Sequence, residues 1–125
     1  MFSHIVVGSN DLAKSKAFYD AVFTAMGGQP GGQMGSRLVY SHKGNNFMVS
    51  TPINGEPACH ANGGTIGFTM DSPEQAKAWH DAGVAAGGTS CEDPPGLREM
   101  GPAKMYLAYL RDPDGNKLCG FARPA

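Results

Sequence analysis

The chain has 125 residues, 41% of them hydrophobic, with 18 glycines and nine prolines; that length suits one domain with its own core, and the apolar share excludes a disordered chain. Ten basic residues against eleven acidic ones leave a net charge of −1, so no basic excess neutralises a nucleic-acid backbone, and no apolar run reaches the roughly 18 residues of a membrane-spanning helix. Cys59, Cys91 and Cys119 form an odd set without CxxC spacing, and the N-terminal MFSHIVVGSND lacks the basic start and long apolar stretch of a signal peptide; a disulfide scaffold and a structural zinc site are disfavoured, and a reducing cytoplasm is expected.

Along the chain, HIVVG reads as a short strand, and Ser9-Asn10-Asp11 is a helix-start signal. Leu12, Phe18, Val22 and Met26 follow at helical spacing until Gly27-Gly28 ends the helix. LVYSH and NFMVS flank Lys43-Gly44-Asn45, a hairpin turn, and residues 52–57 form a proline-bounded linker. GTIGFTM is the next strand. Asp71-Ser72-Pro73-Glu74 starts a second helix, which carries Ala76, Trp79 and Val84 and stops at Gly87-Gly88. Residues 91–102 have few strand-forming residues and read as a long loop of the kind that often serves as a lid. The chain closes with a hairpin built on DPDGN, residues 112–116.

The two halves repeat. Shifting the chain by 61 residues aligns 3–27 with 64–88 without a gap, and seven of the 25 pairs are identical, among them Ile5/Ile66 and Asp20/Asp81. Phe18/Trp79 adds an aromatic pair. Further on, Leu38/Leu107, Tyr40/Tyr109 and Gly44-Asn45/Gly115-Asn116 match across a two-residue length change. Each copy reads strand, helix, then two or three strands. Module one is 1–54, the linker 55–60 and module two 61–125, all one domain.

Alternation along the first strand puts Ile5 and Val7 on one face and His4, Val6 and Gly8 on the other. In its repeat Ile66, Phe68 and Met70 oppose Thr65, Gly67 and Thr69. The bulky faces are expected to cover the helices, leaving the others free; a glycine there fits either a ligand cavity or a strand bend. The repeat also equates Met48 with Cys119. The expected pocket is therefore His4, Val6, Met48, Thr65, Gly67, Cys119 and Phe121, with His4 and Thr65 supplying hydrogen bonds and Val6, Met48 and Phe121 apolar wall. Its ligand would be small, partly apolar and uncharged or weakly anionic. His42, His60 and His80 read as surface residues, Trp79 as core, and Arg98 as solvated or as a clamp for an anion. Lys117 shares a face with Cys119 if that strand is regular, and one of Tyr106 and Tyr109 can line the cup.

A twice-repeated βαβββ unit that opens with HIVVGSNDLAKSKAFYDA and closes with YLRDPDGNKLCGF resembles the vicinal oxygen chelate superfamily, which includes glyoxalase I, bleomycin and fosfomycin resistance proteins and extradiol dioxygenases. The likeness covers essentially the whole chain. GLREMGPAKMYLAYLRDPDGNKLCGF resembles the uncharacterised glyoxalase-like branch. It implies an α+β fold in which two tandem βαβββ modules form a cupped mixed sheet with helices outside, a homodimer, and a small-molecule ligand. Glyoxalase I-like members hold a divalent metal with a first-strand His, a Glu ending the first module, a His or Gln opening the second, and a Glu after DPDGN. Here His4 keeps the first position, while Met48 (or Ser50, two residues on), Thr65 and Cys119 occupy the others. One hard donor remains, which disfavours a metal. Two functions follow from the resemblance: a binding protein of resistance type with a degenerate metal site, and a metal-dependent lyase or isomerase acting on a small carbonyl or thiol-conjugate substrate. No residue is assigned a catalytic role.

Overall fold

The computed structural model describes residues 1–124. Strand β1 (His4–Gly8) leads into helix α1 (Leu12–Ala25), followed by β2 (Gly32–Met34), β3 (Arg37–His42) and β4 (Asn45–Ser50). The second half gives β5 (Ile66–Thr69), α2 (Pro73–Ala85), β6 (Thr89–Ser90), β7 (Gly96–Met100), β8 (Ala103–Arg111) and β9 (Lys117–Ala122). One sheet has the order β1-β4-β3-β2, the other β5-β9-β8-β6 with β7 also on β8. In both, the first strand lies parallel to the last, β1 on β4 and β5 on β9, while the hairpins are antiparallel. The sheets are mixed and the class is α+β.

Each helix forms for reasons visible locally. The Asp11 carboxylate accepts from the backbone N–H groups of Ala13 and Lys14, capping α1. Ser15, Phe18, Tyr19, Val22 and Phe23 are its buried residues, one stripe at three- and four-residue spacing. Ser72 caps α2 through Gln75 N–H, Pro73 takes the first turn, and Ala76, Trp79, His80 and Gly83 are buried. Gly27 and Gly87, with φ of 88° and 107°, end the helices in the left-handed region that glycine enters without steric cost.

Both helices and the inner faces of both sheets share one core. Leu38, Tyr40, Phe47 and Val49 enter it from the first sheet, and Ala108, Leu110, Leu118 and Ala122 from the second. The helices lie against each other: a Cβ on Gly83 of α2 would come 3.1 Å from Val22 Cγ1 of α1. Phe68 of β5 sets its ring 5.8 Å from Phe23 and 5.4 Å from Phe47, both at T-shaped angles, which joins the halves.

Three expectations are corrected. His80 is buried, not a surface residue, with Nε2 2.9 Å from Ser90 Oγ and Nδ1 3.1 Å from Asp81 Oδ1; it lies on the same α2 stripe as Trp79. Residues 91–102 are not a structureless loop, because β7 pairs with β8 from Gly96↔Leu107 to Met100↔Ala103; the backbone finds its partners there despite weak strand propensity. The equation of Tyr40 with Tyr109 is one residue out of register. Tyr40 pairs with Phe47, and the place matching Phe47 in the second module is Leu118, whose partner is Leu110. Leu38 likewise corresponds to Ala108. A one-residue slip swaps the faces of a strand, and the matching letters hid it.

Candidate functional site

The turns set the strand registers around the site. His42 pairs with Asn45, so Lys43-Gly44 is a two-residue turn with φ of 48° and 82°, as a type I′ hairpin requires. The second hairpin uses DPDGN. Asp112, buried, accepts from the N–H groups of Asp114 and Asn116 at 2.9 Å, from Asn116 Nδ2 at 2.8 Å and from the Tyr19 hydroxyl at 2.6 Å. Asn10 N–H donates to Asp114 Oδ1 (2.9 Å), Ser15 donates to Asp114 Oδ2 (3.3 Å), and Asn116 Nδ2 donates to Gly8 O (3.2 Å). DPDGN is therefore a clasp between the halves as well as a turn.

With the inner faces committed to the core, each sheet keeps an open face. On the first, His4 and Val6 are exposed while Val7 is buried, and Val6 stands directly beside Met48, with Gly8 beside Ser50. Ser3 Oγ lies 2.8 Å from His4 Nδ1. On the second, Cys119 stands between Gly67 on one side and Tyr109 on the other, and Thr69 stands beside Phe121. Thr65 is exposed and just precedes β5. Because Val6 pairs with Met48 as Gly67 pairs with Cys119, the register places Met48 and Cys119 at corresponding points of the two modules. Strand β9 is regular, so Lys117 shares the face of Cys119, with Nζ 5.0 Å from the Tyr109 ring centre and an ion pair to Glu92. Tyr109 thus takes the open face.

Burial on this face favours the neutral forms of Cys119 and Tyr109. Burial pushes the Cys119 thiol up, against hydrogen bonds from Tyr109 and the Ala108 backbone that pull it down. A thiol kept protonated is a poor nucleophile. Burial, followed by the neighbouring Cys119 and Glu92, also raises Tyr109. At the four positions where the resemblance implies metal ligands, His4, Met48, Thr65 and Cys119 offer an imidazole, a thioether, a hydroxyl and a thiol; that donor set does not fit a hard divalent ion. Among the described residues no three His, Cys, Asp or Glu side chains come together as a metal-binding group. Arg98 donates to the carbonyls of Asp93 and Pro94 and braces its own loop.

Within one chain the seven expected pocket residues fall into two groups. His4, Val6 and Met48 belong to the first sheet; Thr65, Gly67, Cys119 and Phe121 belong to the second or adjoin it. Both open faces point away from the shared core. Of the seven, His4 and Gly67 line a common cavity, of about 340 Å³, at the end of the core between the β3–β4 hairpin and β5. Phe23, Met26, Phe68, His42 and Asn46 also line it. Sequence reasoning missed these: Phe23 and Met26 carry the spacing of an ordinary helix core, and His42 and Asn46 reach the cavity through the hairpin's place in the fold.

A mixed-sheet βαβββ unit used twice, with the DPDGN clasp closing the second copy, defines the class of paired βαβββ proteins. Residues 1–119 match the family model of the Glyoxalase/Bleomycin resistance protein/Dioxygenase superfamily, and the chain belongs to that family. It is similar to a glyoxalase/bleomycin resistance protein from Albidiferax ferrireducens T118 at 55% identity and a TM-score of 0.95, over 98% of this chain and 99% of that one. A glyoxalase-related enzyme from Fulvimarina pelagi shares the fold at 19% identity and a TM-score of 0.76, over 98% and 88% of the chains. So does a glyoxalase/bleomycin resistance protein/dioxygenase family enzyme from Burkholderia phytofirmans PsJN, at 19% identity and a TM-score of 0.73, over 97% of each. A search of curated proteins gives no match.

Proposed function

We propose that this protein binds a small organic molecule against its open sheet faces and does so without a glyoxalase-type metal centre. The observation that carries this reading is the pair of corresponding positions Met48 and Cys119. Met48 is half-buried and Cys119 buried, both on the sheet faces turned away from the core, and each offers a soft, weakly polar group where a metal carboxylate would be needed. Val6, Met48 and Phe121 supply apolar wall, while His4 and Thr65 supply hydrogen bonds, the mix that ligand pockets use. Because the two faces point away from one core, a cup that joins them takes one face from each of two chains, so the working form is a homodimer. The three cysteines are free, which suits a reducing compartment such as the cytoplasm.

The test combines metal analysis with binding. Protein dialysed against metal-free buffer should retain far less than one zinc, nickel, iron or manganese per chain; stoichiometric metal would overturn the reading in favour of a lyase or isomerase. Hits from a small-molecule NMR screen should perturb the Met48 and Cys119 side chains. The change His4→Ala should weaken those hits by about 1–3 kcal/mol, the cost of an unmet polar contact. Unchanged affinity would remove His4 from the site.

A further inference from the structure

The geometry points to a second binding site, the cavity at the end of the core, whose rim reaches His4, Asn46, Gly67 and Thr69 at the margin of the open faces and which suits a small aromatic carboxylate. Its volume of about 340 Å³ lies at the lower end of ligand pockets, roughly 300–1,000 Å³, and matches a molecule of one or two rings. The floor is aromatic. Phe23, Phe47 and Phe68 meet there at centroid distances of 5.4–5.9 Å, and Met26 adds a thioether wall that adapts to flat ligands.

The rim carries the argument about charge. His4, His42 and Lys43 are the basic side chains lining the cavity, the Tyr40 hydroxyl beside them is committed to Asp20, and no aspartate or glutamate lines it. Lys43 donates to Asp71 at 2.8 Å, so part of its charge is answered outside. Asn46 Oδ1 already accepts from Ser41 Oγ at 2.6 Å, which leaves the Asn46 amide nitrogen to donate. Imidazoles and an amide N–H above an aromatic floor complement a carboxylate on a ring, and an ammonium ligand would find no carboxylate partner. His4 and Gly67 belong to both sites, whereas Met48, Cys119 and Phe121 do not line this cavity, so occupancy here is read at His42 and Phe68 and occupancy of the cup at Met48, Cys119 and Phe121.

The experiment titrates the full ¹⁵N-labelled chain with 1-naphthoate, 1-naphthalenemethanol and 1-naphthylmethylammonium, three probes of one size and different charge. Saturable shifts from naphthoate are expected at the amides of His42, Asn46 and Phe68, with affinity about tenfold or more above both other probes. Asn46→Asp keeps the acceptor for Ser41 and adds a negative charge at the rim. It should weaken naphthoate about fivefold or more and leave the alcohol nearly unchanged. His42→Ala should weaken naphthoate in the same direction, and Cys119→Ser should not. Equal affinity for all three probes, shifts centred on Met48 and Cys119, absence of saturable binding, or full naphthoate affinity in folded Asn46→Asp would each overturn the assignment. None of these results bears on the metal content that tests the cup.

Discussion

Single residues decide the tightest contacts in this fold. A Cβ on Gly120 would lie 2.9 Å from Trp79 Cε3 and 3.2 Å from Cζ3, and Trp79 is fully buried with nowhere to move. Gly120→Ala should cost about 1–3 kcal/mol in urea denaturation, the range of overpacked cores. Gly67→Ala is the control: nothing lies within 4 Å of its added Cβ, and the change should stay within about 0.5 kcal/mol. Glycine was conspicuous in the sequence, yet its letters did not say which glycine lies under an indole and which faces open space. Two buried phenols set the alkaline limit. Burial first, then Asp112, raises Tyr19 well above an ordinary phenol; burial first, then Asp20, raises Tyr40. Since the folded values exceed the unfolded value of about 10, the stability these groups contribute is whole below about pH 10 and is lost as pH rises above it. Denaturation midpoints should fall steeply above pH 10, and Tyr19→Phe should flatten that fall. A parent-like slope in Tyr19→Phe would sink this assignment.

Among the elements, the DPDGN turn ties the most structure together. Asp112→Ala removes the acceptor for Tyr19 and for three turn donors, all within 2.6–2.9 Å. With the Tyr19 hydroxyl left unmet, the loss should be about 2–4 kcal/mol by chemical denaturation. Asp114→Ala touches the bonds from Asn10 and Ser15 at the start of α1, and its cost should be nearer 0.5–1.5 kcal/mol. Equal losses for the two variants would show that the clasp rather than the buried turn dominates. The element boundaries of both helices were legible because caps, stripes and stop glycines are local. The register of β8 was not. The sequence equated Tyr40 with Tyr109, but the first hairpin turns on Lys43-Gly44 and the second on three residues between Asp112 and Asn116, which accept each other's backbone. That extra residue is legible only once the pairing is seen.

At the scale of the whole molecule the question is what completes the cup. Both helices and both inner faces converge on one core, so each chain turns two faces outward, and the proposed cup would join one face from each of two chains. Sedimentation velocity at micromolar concentration should give a particle of twice the 13.1 kDa chain mass; a single-chain mass at all concentrations would refute the homodimer and with it the shared cup. No helix among the described residues is long and apolar enough to cross a membrane, in keeping with the short, half-apolar helices that the stripe Ser15–Phe23 already implied.

The sequence by itself determined the repeat, the two helices with their caps, the inward positions Ile5, Phe18, Trp79 and Ile66, and the correspondence of Met48 with Cys119. These follow from periodicity and local chemistry, which act between residues a few positions apart. Tertiary structure alone decided that His80 is buried, that residues 96–100 pair as a strand, and that DPDGN reaches back to Tyr19 and Asn10. It also separated the seven expected pocket residues onto two sheets and gathered Phe23, His42, Asn46 and Phe68 around a cavity no motif announced. Those outcomes depend on which faces share the core, and burial is a property of the whole packed molecule: a face that alternation leaves open acquires a neighbour only when the second half of the chain arrives against the first.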